Sequence, residues 1–217
     1  MCTIHYTLLS DGSADKALIP IITWLLRHYF DNCAIHSDYA DLRRLPRPPK
    51  TLPERISTAI ELFPCNLLFV HRDAENQTYQ LRKNEIEHAI SEVSEAVTLP
   101  RIICVIPIRM GEAWLLFDEG GIRKASGNPN GRIRLELPDT ANLETLRNPK
   151  KILYELLRRA SELKGRRLKK LNTDKCVHLV GEFVQDFTPL RQLSAFIALE
   201  SDVKTNSGRA ESCSYCQ

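Results

Sequence analysis

Asn66-Leu67-Leu68-Phe69-Val70-His71-Arg72-Asp73-Ala74-Glu75 is a short apolar run that stops in a cluster of potential metal ligands. In a parallel sheet ligands bind beyond the carboxyl ends of the strands, so acids at such a place read as a site. Asp11 and Asp15 follow the first apolar run and Glu112 follows the fourth, which puts them at equivalent places. Carboxylates gathered in one crevice repel one another unless a cation neutralises them, and hard oxygen ligands select Mg2+ or Mn2+. Such an ion holds a phosphodiester and activates water, or two of them clamp the attacking and leaving oxygens. The candidate ligands are therefore Asp11, Asp15, Asp73, Glu75 and Glu112. His71 is a further ligand or a base, and Arg72 a phosphate contact. Taken singly, each acid also has a bland reading. Asp11 before a glycine makes a turn and a helix cap, Asp73 and Glu75 are solvated loop acids, and Glu112 is a first-turn acid favoured by the helix dipole. Their coincidence on one sheet edge is what favours the metal.

The elements that must position these groups alternate along the first half of the chain. Residues 3–9 read as a strand, and an apolar helix over 16–30 follows a turn in which Ser13 or Asp11 is the expected cap. Residues 33–36 read as a short second strand. Residues 38–53 read as a loop, since Pro46, Pro48, Pro49 and Pro53 forbid regular structure through most of it. A helix over 54–63, a buried strand over 66–70, a helix over 80–97 and a buried strand over 101–107 complete the pattern. Continuous apolar strands separated by amphipathic helices predict a parallel, three-layer α/β sheet.

After Gly111 the texture changes. Residues 112–117 start a helix, and Gly120, Gly121, Gly127, Asn128, Pro129, Asn130 and Gly131 mark a long irregular connection. Asn148 caps and Pro149 opens a helix to about Leu163, with Ile152, Leu153, Leu156 and Leu157 as its apolar stripe. A short helix over 189–199 carries Leu190, Leu193, Phe196 and Ile197, and residues from Ser201 onward are polar and expected to fray. There are no internal repeats.

With 217 residues and 43% hydrophobic content, the chain can bury one core with an appendage. The expected division is an α/β core over 1–118, a basic, mainly helical part packed on it over 119–200, and a flexible tail over 201–217. The seven cysteines are odd in number and mostly lie in apolar runs, which suits reduced, buried thiols rather than a disulfide framework. Cys213 and Cys216 have zinc-like spacing but no second pair nearby, and read mostly as tail. Asp11, Asp15 and Lys16 interrupt any signal-peptide core and no apolar run is long enough to span a bilayer, so a cytoplasmic protein is expected.

A formal net charge of +3 is too mild to argue for nucleic acid by itself, so the distribution must carry that argument. Lys150, Lys151, Arg158, Arg159, Lys164, Arg166, Arg167, Lys169, Lys170 and Lys175 are opposed only by Glu155, Glu162 and Asp174 within their segment. Lys/Arg surfaces of this kind bind phosphate backbones without reading sequence. Charge runs are more often solvated helix faces. Beside an acidic crevice, however, Lys150, Lys151, Arg166, Arg167, Lys169 and Lys170 are expected to contact nucleic acid. Arg109 or Lys150 is expected to stabilise the phosphorus in flight, Arg43, Arg44 and Arg47 add charge, and Tyr39 and Tyr154 either stack on bases or simply pack.

The order strand, Asp11-Gly12-x-x-Asp15, helix, strand, His71-x-Asp73-x-Glu75, strand, Glu112 resembles the TOPRIM fold. That family carries Glu-Gly after its first strand and Asp-x-Asp after a later one, and binds Mg2+ with them in topoisomerases, primases and nucleases. The run Glu112-Ala113-Trp114-Leu115-Leu116 is similar to a block in a compact TOPRIM-like group of small bacterial proteins. Those are related to OLD-family nucleases and to the TOPRIM effector of the PARIS anti-phage system. The likeness covers roughly the first half of the chain.

By that resemblance the fold is a TOPRIM-like, Rossmann-like parallel sheet flanked by helices, with a helical C-terminal appendage. Asp11 stands where the family has glutamate, Asp73 is one member of the acidic pair, and Glu112 is an additional acid. The departures are aspartate at 11, and either histidine at 71 or a pair Asp73-x-Glu75 set further from the strand. The implied function is a Mg2+- or Mn2+-dependent endonuclease acting on DNA or on structured RNA such as tRNA, as a bacterial anti-phage or abortive-infection effector. The implied alternative is a non-catalytic partner or regulatory subunit of an ATPase-containing defence complex, with a homodimer among the assemblies to be expected. No Gly-x-x-x-x-Gly-Lys-Ser/Thr phosphate loop is present, so the chain itself is not expected to hydrolyse ATP.

Overall fold

Four strands, β1 (Cys2–Leu9), β2 (Cys33–Ala40), β3 (Leu67–His71) and β4 (Arg101–Val105), form one parallel sheet in the order β2-β1-β3-β4. The structure, a computed structural model, describes residues 2–94 and 98–208. Parallel neighbours require crossovers, supplied by α1 (Ile19–Tyr29), α2 (Leu52–Leu62) and α3 (Tyr79–Ser94). Tyr6, Leu8 and Phe69 pack with Ile21, Ile22, Leu25 and Leu26 of α1 on one face. Leu9, Leu68 and Val70 pack with Ile56 of α2 and with Ile86 and Ala89 of α3 on the other. Burial on both faces explains why β3 is apolar throughout rather than alternating. The expected α/β class, a parallel sheet between helices, is the class observed.

Several boundaries differ from the expectation. β2 runs to Ala40 because it pairs with β1 along its whole length. Its exposed His36, Ser37 and Asp38 are a polar stretch of an edge strand, on both of its faces, that the sequence pattern hides. The loop therefore loses residues at both ends, since α2 starts at Leu52. There Thr51 Oγ1 accepts from Glu54 N–H while Glu54 Oε2 accepts from Thr51 N–H, and Pro53 sits harmlessly in the first turn. The apolar segment after β1 opens as a 3₁₀ helix (Ser13–Leu18) before α1, and neither Ser13 nor Asp11 caps it. Asp15 Oδ2 instead accepts from the Gly12 N–H at 2.8 Å.

The second half adds α4 (Glu119–Ala125), α5 (Pro149–Ala160), α6 (Gly165–Lys169), α7 (Thr173–Phe183) and α8 (Ser194–Gly208). α4 lies where an irregular connection is expected. Asp118 caps it, and a Cβ at Gly121 would sit 3.0 Å from Val184 Cγ2 and 3.2 Å from the Val180 carbonyl oxygen. That glycine answers close packing against α7, not a break. Gly181 does the same for α7, where a Cβ would meet the Ala17 carbonyl oxygen at 3.0 Å. Neither α6 nor α7 is legible beneath the lysines and arginines. α8 continues past Ser201 with Val203 buried, so the expected fraying of 201–208 is not found. Leu153, Val177, Phe196 and the fully buried Trp114 join the core on the α1 face. Residues 95–97, at the end of the third expected helix, and 209–217, with Cys213 and Cys216, lie outside the described residues. Among the described residues no helix is long and apolar enough to cross a membrane.

Cys2 and Cys33 are joined in a disulfide, which corrects the expectation of reduced, buried thiols at this pair. The β1–β2 register puts them directly opposite one another with Cα atoms 4.5 Å apart, a proximity that spacing in sequence does not reveal. Cys65, Cys104 and Cys176 are free. Serine at both positions 2 and 33 is expected to lower the unfolding free energy by about 2–3 kcal/mol, read from urea melts with and without reductant. Identical midpoints for the two proteins would show that the clamp contributes nothing.

Candidate metal centre

β3 delivers His71 to the carboxyl edge of the sheet, and the backbone beyond it stays laddered to the segment that follows β4. Arg72 N–H donates to Val105 O at 3.1 Å, Ala74 N–H to Pro107 O at 3.0 Å and Glu75 N–H to Arg109 O at 3.0 Å. Two non-glycine residues in the left-handed region close this ladder, Glu75 at φ 52° and Arg109 at φ 71°. Arg109 Nη1 then reaches back to Glu75 O and Asn76 Oδ1. Strain of this kind persists only where surrounding contacts over-determine it. Here it aims Asp73, whose Oδ1 accepts from the Gly111 N–H at 2.8 Å. Glycine in place of Glu75 is expected to raise stability by up to about 1 kcal/mol by relieving the left-handed backbone. Its ion pair among the described residues, 3.7 Å to Arg82 with the side chain 60% exposed, offers little to lose. A lowered denaturation midpoint would count against this account of the turn.

Asp15 arrives from the other side, on the 3₁₀ helix after β1. The turn before it is fixed by Ser10 Oγ and Tyr39 Oη, which both reach the Gly12 carbonyl, so Tyr39 is a brace for the turn and not a free stacking platform. His71, 2% exposed, lies between the two acids, with Nδ1 3.5 Å from Asp15 Oδ2 and Nε2 3.3 Å from Asp73 Oδ1. All three donor atoms fall within 4.8 Å of one another. Neither ring nitrogen is aligned for a hydrogen bond among the described residues. Burial pushes the imidazole pKa down, but the two carboxylates more than offset it, and the net effect raises it from 6.5 to about 9. For Asp15, burial acts upward and His71 and the Gly12 N–H act downward, leaving its carboxyl below the usual range.

Glu112 opens the 3₁₀ helix Gly111–Leu115 and is nearly buried, with Lys150 Nζ 3.7 Å from its Oε1. Burial raises its carboxyl pKa; its own N–H and Lys150 oppose that, while Asp73 and Asp15 reinforce it. Glu112 and Asp15 line one small cleft with Ala14, Leu18 and Gly111. A Cβ at Gly111 would stand 3.9 Å from both Asp73 Oδ1 and His71 Nε2, so glycine keeps room beside the donors. The oxygen–nitrogen–oxygen set, the two unsatisfied ring nitrogens and this space fit a divalent cation.

The set brought together is therefore Asp15, His71 and Asp73, with Glu112 at its margin. Asp11 does not join it, because Arg55 of α2 and Arg72 both pair with its carboxylate. Glu75 also points away, toward Arg82. These arginines and Glu85 form a charge chain along the α2–α3 side, with Arg72 Nη2 3.0 Å and Arg82 Nη1 2.8 Å from the Glu85 carboxylate. Arg55 and Arg82 escape a sequence reading, since an arginine on a helix gives no sign of which sheet edge it meets. Of the expected phosphate-binding residues, Lys150 reaches the site, Arg109 is held in the turn, and Lys151 pairs with Glu155 at 3.9 Å. Tyr154 donates to Asp174 beneath Lys150, whose Nζ is 5.8 Å from the ring centroid. Arg166, Arg167, Lys169 and Lys170 are exposed on or beside α6, and none pairs with an acid among the described residues.

Fold and site together define an α/β protein with a carboxylate–histidine cluster at the carboxyl edge of a parallel sheet. No protein-family model, curated protein or solved structure matches the chain.

Proposed function

We propose that this edge is a Mg2+ or Mn2+ centre that hydrolyses phosphodiester bonds in nucleic acid, on a TOPRIM-like scaffold. The observation that carries the reading is the convergence of Asp15, His71 and Asp73 donors within 4.8 Å. The ion supplies Lewis-acid activation of the phosphodiester and of water. The chain's own groups do the rest. Asp15, His71 and Asp73 hold the cation, and the Gly111 and Gly12 N–H groups fix the two carboxylates so that no reorientation is needed. Glu112, its carboxyl raised by burial, accepts a proton from the attacking water. Lys150 balances charge on the phosphate oxygens, and the exposed cations around α6 hold the backbone farther out. The motif resemblance adds the role of a cytoplasmic anti-phage effector cleaving DNA or structured RNA such as tRNA.

One observation favours a second reading. A protonated His71 between Asp15 and Asp73 already neutralises the crevice, as suits a non-catalytic partner of an ATPase. Calorimetric titration with Mn2+ and Mg2+, paired with cleavage assays on plasmid and tRNA, separates the two. Saturable binding with metal-dependent cleavage is expected. Absence of binding by either ion would hand the site to the partner reading.

A further inference from the structure

A second pair of ligating side chains lies midway along the β1–β2 ladder, back from the carboxyl edge. His5 of β1 and His36 of β2 are directly opposite in the parallel register. Their rings are 4.9 Å apart between centroids and 14° apart in plane. Both are exposed. His5 stands four residues before Leu9, about 13 Å along the strand from the carboxyl edge that carries Asp15 and Asp73.

We infer that His5 and His36 form an open two-imidazole site for a borderline divalent transition metal, Zn2+ or Cu2+, separate from the carboxylate centre. Imidazole nitrogen favours these ions, whereas oxygen-rich sites favour Mg2+ and Mn2+. Paired backbones hold the spacing of the two rings. The His5 N–H donates to Asn66 Oδ1 at 2.8 Å and the His5 carbonyl accepts from the Asn66 N–H at 2.8 Å. Three residues upstream on both strands, the Cys2–Cys33 disulfide ties the same register covalently. The entropy of bringing two ligands together is thus met by the fold before an ion arrives. Turning both rings about their Cβ–Cγ bonds aims their nitrogens at one ion. Exposure leaves them free to do so, and water completes the coordination.

The inference stands apart from the phosphodiesterase reading and is tested without cleavage. Zn2+ is titrated by calorimetry into the full-length protein and into His5→Ala, His36→Ala and Asp73→Asn variants, and Cu2+ is followed by electron paramagnetic resonance. One Zn2+ site is expected to weaken in each histidine variant by at least the roughly tenfold to hundredfold that losing even an outer ligand contact costs. The nitrogen couplings of the Cu2+ spectrum are expected to diminish alongside, and Asp73→Asn is expected to keep both signals. Because both histidines are exposed, unchanged circular dichroism and melting temperature confirm that the variants fold. Zn2+ sites of the same number and strength in His5→Ala and His36→Ala would overturn the inference, and so would loss of the signal in Asp73→Asn alone.

Discussion

Asp15→Asn and Asp73→Asn are each expected to weaken Mn2+ binding by about a hundredfold and to depress metal-dependent cleavage at least as far, whereas Asp11→Asn leaves both nearly unchanged. Asparagine is the informative replacement because its amide oxygen can still accept from Gly12 N–H or Gly111 N–H, which preserves the turns while removing the charge. What is lost is one of two anions facing His71 at 3.3–3.5 Å and one hard oxygen for the cation. Asp11 supplies neither, since its carboxylate is shared by Arg55 and Arg72 and is 49% exposed. Losing it leaves two arginines to pair elsewhere, a cost for stability and not for the metal. Circular dichroism of each variant separates folding from binding. Equal damage from Asp11→Asn and Asp73→Asn would mean that the ion sits across both groups, and the ligand set assigned here would fail.

That contrast shows what local sequence can and cannot specify. The place of the candidate site was legible: apolar runs read as ending at Leu9, Val70 and Pro107 lie within two residues of the observed strand ends, and parallel winding sends those ends to one edge. The choice among acids was not. Asp11 and Asp15 lie on the same turn, and which one faces His71 depends on the direction in which the 3₁₀ helix leaves β1, a tertiary property. His71 reads from sequence as a substitution in an acidic pair, while in the fold it is the middle of the cluster. Long-range register is equally invisible, which is why the Cys2–Cys33 bond and the full length of β2 emerge only in the structure. In the second half the failure has another cause. α7 buries Cys176, Val177 and Val180, but a cluster of cations precedes it, and glycines that serve close packing look like turn formers.

The same histidine predicts two opposite pH dependences. With its pKa raised from 6.5 to about 9, His71 binds a proton more tightly in the folded chain than in the unfolded one. Its contribution is therefore complete below about pH 6.5 and is lost as pH rises through about 9, so the metal-free protein is expected to become less stable across that window. The raised value corresponds to an effect on the order of 3 kcal/mol. Asp15 acts in a different range, since its lowered pKa gives stability that disappears only in acid. A cation needs the imidazole neutral, so binding must expel the proton. Mn2+ affinity is then expected to rise by about tenfold per pH unit over the interval in which metal-free stability falls. Urea melts and calorimetry in buffers of differing ionisation enthalpy measure the two slopes, and the latter counts the proton released. His71→Gln should flatten both together. A stability slope that vanishes in His71→Gln while the affinity slope survives would place the metal away from His71 and leave Asp15 and Asp73 paired with a histidine that serves structure alone.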